Sequence, residues 1–188
     1  MTRSHVRPVI ALLTLLLAGC GNEEEAEPKT CDSECQDQVA ARSLRDVIKL
    51  AYNLTLQGNI IGIQDETTEC AQGGTARVGG LATSNAQQGT NDLELGYLFE
   101  SCAYLHRDDD AEESYDVVVS GLVLETGVLA VQPTATTALI FESEDISLEG
   151  EVFDPPVPYA ETECALRLAQ DGQHMSGTWC GRKIGFDL

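Results

Sequence analysis

Seven cysteines, two histidines beyond the first twenty residues and a run of carboxylates are the side chains of this sequence with chemistry of their own. Six of the cysteines, Cys31, Cys35, Cys70, Cys102, Cys164 and Cys180, form an even set with no CxxC spacing, and His106 and His174 are the histidines available to them. Zinc sites built on sulfur draw on close cysteine pairs and further histidines, so the set reads as a disulfide framework, for which six cysteines allow fifteen pairings. The carboxylates gather between Arg107 and Asp116, where Asp108, Asp109, Asp110 and Glu112 are the candidate calcium ligands. Calcium prefers such hard oxygens, but the alternating acids and central glycine of an EF-hand loop are absent. Consecutive acids of this kind read as solvated surface charge, and no metal or cofactor is expected.

Other catalytic signatures are missing. Gly73-Gly74-Thr75-Ala76-Arg77-Val78-Gly79-Gly80 is neither GxGxxG nor a phosphate-binding loop, and its glycines read as bends or bulges at strand ends. Neither a GxSxG elbow nor an HExxH helix occurs, and neither His106 nor His174 has a recognisable acid–base partner. Paired carboxylates for glycoside hydrolysis cannot be nominated among so many acids. The expectation is a protein that is not an enzyme.

The seventh cysteine stands apart. Arg3 and Arg7 precede Val9 to Ala18, an apolar run of 10 residues, and Leu17-Ala18-Gly19-Cys20 closes it. A membrane-spanning helix needs about 20 apolar residues, whereas a charged start, a short apolar middle and small residues before a cut site mark a secretory signal. LAGC resembles the lipobox of bacterial lipoproteins. The resemblance implies cleavage between Gly19 and Cys20, diacylation of the Cys20 thiol and acylation of the new amino terminus. It further implies membrane attachment through acyl chains, and Gly21 in place of aspartate favours the outer membrane by the same resemblance. More than one acyl chain is needed for stable anchoring, at about 0.8 kcal/mol per buried methylene.

Removal of residues 1–19 takes away two arginines and no acid, so the net charge moves from −20 to −22. Phosphate backbones and anionic headgroups repel such a chain, which argues against nucleic-acid partners and electrostatic membrane binding. Residues 20–32, with Glu23, Glu24, Glu25, Glu27 and Pro28, have nothing to bury and read as an acidic tether. Residues 33–188 are long enough for a single domain with its own core.

Within that domain Ala40, Leu44, Val47, Ile48, Ala51 and Leu54 recur at helical spacing, predicting one helix over Ser33 to Gln57. Ser33 with Gln36 fits a capping box, and Gly58-Asn59 fits a left-handed close. From Ile60 the period changes to two. Strands are predicted at Thr75–Thr83, Asp92–Glu100, Tyr115–Glu125, Gly127–Gln132, Thr137–Ser143, Asp145–Val152, Glu163–Ala169 and Gln173–Cys180, with Asp154-Pro155-Pro156 and Pro158 as a stiff connection. The fold class is mainly β: an antiparallel sheet of about eight strands, as a sandwich or partly closed barrel, with one N-terminal helix packed on it.

Disulfide expectations follow from these elements. Cys70 and Cys102 flank the first predicted hairpin, and joining them should contribute roughly 3–4 kcal/mol in the chain-entropy model. A type I′ turn at Asp171-Gly172 sets Leu168 opposite Met175 and Cys164 opposite Trp179. Cys180 then faces away from Cys164, so their bridge needs a local irregularity. Cys31–Cys35 is the remaining pair; four residues apart, they cannot be joined inside a regular helix, which moves the expected helix start toward Cys35.

Two functions suit this organisation: a membrane-anchored envelope lipoprotein with a non-catalytic structural or interaction role, meeting a protein partner, or a lipoprotein holding an apolar ligand between curved sheet and helix. A hydrolase would need a cleft with two carboxylates or a histidine of perturbed pKa. Anchoring has a direct check. Cys20→Ala should abolish acylation and leave the protein unprocessed or soluble on membrane fractionation; efficient membrane recovery of this variant would overturn the lipobox reading.

Overall fold

The helical stripe folds as α1 (Ser33–Leu56), and the alternating remainder folds as one antiparallel sheet of eight strands. The computed structural model describes residues 30–56, 58, 61–107 and 114–188. The cap of α1 is Asp32 rather than Ser33. Its carboxylate accepts from the Cys35 N–H at 3.0 Å, its carbonyl accepts from the Gln36 N–H at 2.9 Å, and the Gln36 side chain donates to the Cys31 carbonyl. Cys31 therefore lies ahead of the cap, outside the helix, and its disulfide to Cys35 closes at a Cα separation of 5.2 Å. The helix does start at Ser33, and the bridge does not have to fit within a regular turn. At the other end Gly58 takes a φ of +91°.

The strands are β1 (Gly62–Glu69), β2 (Thr75–Asn85), β3 (Thr90–His106), β4 (Tyr115–Ala130), β5 (Ala138–Val152), β6 (Val157–Asp171), β7 (His174–Trp179) and β8 (Arg182–Asp187). Each pairs with its neighbours in chain order. One sheet rules out the sandwich, and among the described residues β1 and β8 do not pair with each other, so the sheet is not closed. It is nonetheless curled. A flat eight-stranded sheet is about 34 Å wide at about 4.8 Å per strand, and a helix about 10 Å across cannot reach both edges of it. Yet α1 contacts β1 at one edge, β8 at the other and β2 to β6 between them. The sheet wraps the helix, which explains why Val39, Ala40, Ala41, Ser43 and Leu44 are all buried although they point in several directions. Leu54 alone of the predicted stripe is exposed, beyond the sheet's cover.

Curling requires places where long strands can bend. Register shifts interrupt β3 between Phe99 and Cys102 and the β4–β5 and β5–β6 ladders. Gly127 and Gly177 sit mid-strand at φ +124° and +151°, where a side-chain carbon would lie 2.3 Å from the Ala138 carbonyl oxygen and 2.1 Å from that of Arg167. Gly127 therefore bends β4 without ending it, and the two strands predicted on either side of Thr126 are one. The segments before and after Glu144 likewise merge into β5 across a bulge. Two strands were not anticipated, β1 and β8, which form the edges.

The last hairpin corrects the expected register. Leu168 pairs with Gly177 and Leu166 with Trp179, so the turn residues are Gly172-Gln173 and the pairing is two residues from that expected. A shift of two keeps every side chain on its face, and Leu166, Leu168, Met175 and Trp179 are all buried. The irregularity needed for Cys164–Cys180 is Cys180 itself, in a left-handed conformation at φ 47° with its N–H donating to the Ala165 carbonyl. Cys164–Cys180 and Cys70–Cys102 are both joined, at Cα separations of 4.8 and 5.4 Å.

Polar contacts fix the helix inside its wrap. Asp37, buried on α1, accepts from Tyr159 Oη at 2.8 Å and from Arg182 Nε and Nη2 at 2.5 and 2.7 Å. Trp179 Nε1 donates to the same Tyr159 oxygen at 2.7 Å. Further along, Gln38 donates to the Gly185 carbonyl and Arg42 to that of Asp187. The glycine bends are directly testable. Gly177→Ala should cost at least about 2 kcal/mol in chemical denaturation, from left-handed strain and collision with the neighbouring backbone. Gly79→Ala, whose nearest neighbour would be 3.7 Å away at an ordinary φ, should stay within about 1 kcal/mol of the parent.

Candidate functional site

Inward positions of the sheet are apolar along most of its length, but polar side chains break that rule toward one end, among them residues on β3, β4 and β6. Asn91 follows the phase of Leu93, Leu95, Tyr97 and Phe99 on β3. Glu125 follows Tyr115, Val117, Val119 and Val123 on β4, and Gln170 follows Leu166 and Leu168 on β6. The register gathers them: Glu125 stands opposite Leu95 on one side and Phe141 on the other, and Leu139 stands opposite Gln170. The C-terminal half of α1 covers this end with Arg45, Ile48, Lys49, Tyr52 and Asn53. Between helix and strands opens a cleft of about 680 Å³, with the 131–137 connection at its rim. Ile48, Leu129, Leu139 and Phe141 supply apolar wall, while Glu125 and Gln170 are polar side chains among the lining.

Glu125 dominates the electrostatics. Its carboxylate oxygen Oε2 accepts from Tyr97 Oη at 2.5 Å. Burial away from water pushes its pKa up to about 7, against a smaller opposing effect of the Tyr97 hydrogen bond and the nearby positive charge of Arg45. Tyr97, buried beside this carboxyl, is driven far above the ordinary tyrosine range and remains a donor. Tyr52 is also raised, first by burial and then by Glu125. The Asn91 side chain acts in the opposite direction as a hydrogen-bond partner of the buried Tyr52 hydroxyl. Gln170 is anchored by its own amide, which donates to the Gly172 carbonyl at 2.9 Å. This arrangement offers an apolar molecule a wall and one titrating carboxyl.

Glu125 is the one carboxyl lining the cleft, and no histidine lines it among the described residues. His174 is at the surface, its Nδ1 2.9 Å from an Asp187 carboxylate oxygen, and His106 stacks on Tyr115 at the end of β3. Cys20 and the acids Asp108, Asp109, Asp110 and Glu112 lie outside the described residues, and no cluster of three or more metal-ligating side chains occurs within them. The remaining six cysteines are spent in the disulfides, none at the cleft. Also among the described residues, no helix is long and apolar enough to cross a membrane.

No sequence signal nominated Glu125, although one was present: an acid standing on the buried phase of its strand. Comparison with protein-family models, curated proteins and solved structures found no match to this chain.

The raised pKa of Glu125 has a stability consequence of definite sign. Between pH 4.5, the ordinary value, and about 7 the folded protein holds a proton that the unfolded chain has lost, so stability falls as pH rises through that window. The full effect is about 3 kcal/mol above the upper limit. Glu125→Gln lacks the titration, so its stability relative to the parent should improve by about that amount between pH 4 and pH 8 in urea denaturation. A difference that stays constant across this range would refute the assignment.

Proposed function

We propose that this chain is a lipid-anchored envelope protein whose β-domain binds a small, largely apolar ligand in the cleft at the C-terminal end of α1. The cleft is the observation that carries the reading. Its volume of about 680 Å³ falls within the range of roughly 300–1,000 Å³ typical of small-molecule sites. Its chemistry fits as well, since an apolar wall with a few convergent polar groups is what such sites present. A buried carboxyl whose pKa is shifted by burial adds to it. The space differs in position from the enclosed cavity considered for the sequence. Along the first half of α1 the interior is packed solid by residues such as Leu44, Tyr115 and Trp179, and the volume is left at one end. The lipobox pattern at Leu17 to Cys20 supports anchoring, and the single carboxyl of the cleft supports binding over a paired-carboxylate hydrolase.

A structural or interaction role is favoured by a different feature. On the outer face of β2–β4, Leu81, Leu98, Leu122 and Leu124 are exposed, and Leu122 and Leu124 lie over Gly96. Such a patch suits contact with another protein.

Ala135 at the rim of the cleft separates the two. Ala135→Trp should weaken binding of a fluorescent apolar probe such as N-phenyl-1-naphthylamine at least about tenfold, at an unchanged thermal midpoint. Binding that ignores this substitution but is lost in Leu122→Ser would move the function to the outer face.

A further inference from the structure

We propose that β1 is a docking edge for an extended segment of a basic partner protein. The segment adds to the sheet as a further strand, with lysine or arginine beside Glu66 and Glu69 and an apolar side chain beside Ile63. This surface goes beyond the ligand-binding reading. The lining of the cleft includes no residue of β1, so either site can fail without the other.

The two edges of the sheet end differently. At β8 the Leu188 N–H donates to the Gln173 carbonyl, which sets the phase of the ladder: Ile184 and Phe186 bond to β7, while Gly185 and Asp187 turn their backbone groups outward. The helix covers that edge, since Gln38 and Arg42 of α1 donate to those two outward carbonyls. At β1 the Cys70 N–H donates to the Gly74 carbonyl and continues the ladder with β2. Gln64, Glu66 and Thr68 therefore bond to β2, and Ile63, Asp65, Thr67 and Glu69 point their N–H and C=O groups away from it. The Glu69 carbonyl meets the neighbouring Thr68 hydroxyl at 3.3 Å, and among the described residues no strand pairs with this side of β1. A row of such backbone groups is the template on which an extended peptide adds to a sheet.

The side chains of this edge specify what the added strand carries. Ile63 is 89% exposed and stands opposite Leu81, so the apolar outer patch of β2–β4 extends through it to the edge. An edge built only to repel other strands would not present such a side chain. Charge then sorts the partners. Asp65 is paired with Arg77 at 2.7 Å, whereas Glu66 and Glu69 meet no cation among the described residues. A second copy of β1 laid antiparallel would bring Asp65, Glu66 and Glu69 close to the same three acids, and like charges across a strand pair are destabilising. The β8 edge of a second copy is already held by its own helix. A basic segment satisfies the two free carboxylates instead, and the net charge of −20 steers such a partner toward the chain.

The test uses the full chain carrying Cys20→Ala and a synthetic heptapeptide with lysine at its first and fourth positions, isoleucine at its seventh and threonine elsewhere. Added antiparallel, the sense of every pair in the sheet, these fall beside Glu69, Glu66 and Ile63. Amide NMR should show shifted resonances and slowed hydrogen exchange at Ile63, Asp65, Thr67 and Glu69. A peptide with glutamate for both lysines should bind at least about fivefold more weakly at low salt, and the gap should narrow as salt rises. Thr67→Pro removes an outward N–H and no bond to β2, so it should keep the fold and lose the peptide. Glu66→Lys combined with Glu69→Lys should reverse the preference in favour of the glutamate peptide, which decides the question even where Thr67→Pro fails to fold. Equal binding of the two peptides, shifts centred on the cleft, or binding that survives Thr67→Pro would overturn the proposal. So would a dimer of the chain that Thr67→Pro disperses, which would give the edge to a second copy.

Discussion

The position of α1 along its own axis depends on Asp37. A helix wrapped by a single curled sheet is held mainly by apolar contacts, which have no direction and allow sliding or rotation at small cost. Asp37 removes that freedom. Its carboxylate is buried and is satisfied where Tyr159 Oη and the Nε and Nη2 of Arg182 converge, on β6 and β8. A buried ion pair is weak evidence for added stability, because desolvation offsets the attraction. Its contribution here is to register, and everything further along the helix inherits it. Arg45, Ile48, Lys49 and Tyr52 reach the cleft because Asp37 is held two to four turns before them.

The same arrangement explains why the core stops short of one end. The helix fills the interior near the Trp179 end, where small side chains such as Ala40, Ala41 and Ser43 let the backbone approach the sheet closely. Toward Tyr52 the inward positions of the sheet carry Asn91, Glu125 and Gln170, which cannot close on an apolar helix without losing their hydrogen bonds. The space between is left open, and a carboxyl with a raised pKa lies in it. Natural sequences depart from local rules most often where function requires it, and this end of the sheet departs from them on β3, β4 and β6.

Much of the fold was legible in the sequence because period two is a strong signal where one face is buried. Leu93-Leu95-Tyr97-Phe99 and Ile146-Leu148-Val152 alternate along their strands and are buried, and a register error of two at the last hairpin left the faces intact. β1 was not legible, since its single buried side chain is Gln64 and its sequence, Gly-Ile-Gln-Asp-Glu-Thr-Thr-Glu, has no apolar alternation to follow. β8 was overlooked although Ile184 and Phe186 alternate; six residues give too short a pattern to stand out. Glycines in the middle of β4 read as breaks because a left-handed glycine ends a strand as readily as it bends one. The cleft was missed for another reason. Asn91, Glu125 and Gln170 are far apart in the chain, and only the pairing register brings them to one place.

The three disulfides join the cysteines in the order in which they occur: Cys31 to Cys35, Cys70 to Cys102, Cys164 to Cys180. Each pair is complete before the next begins, and the strands pair in chain order as well. A chain emerging N-terminus first thus meets each correct thiol partner before any later, wrong one exists. For these six cysteines, pairing each thiol with the next in the chain arrives at the native set directly, with no mispaired bridge to reshuffle.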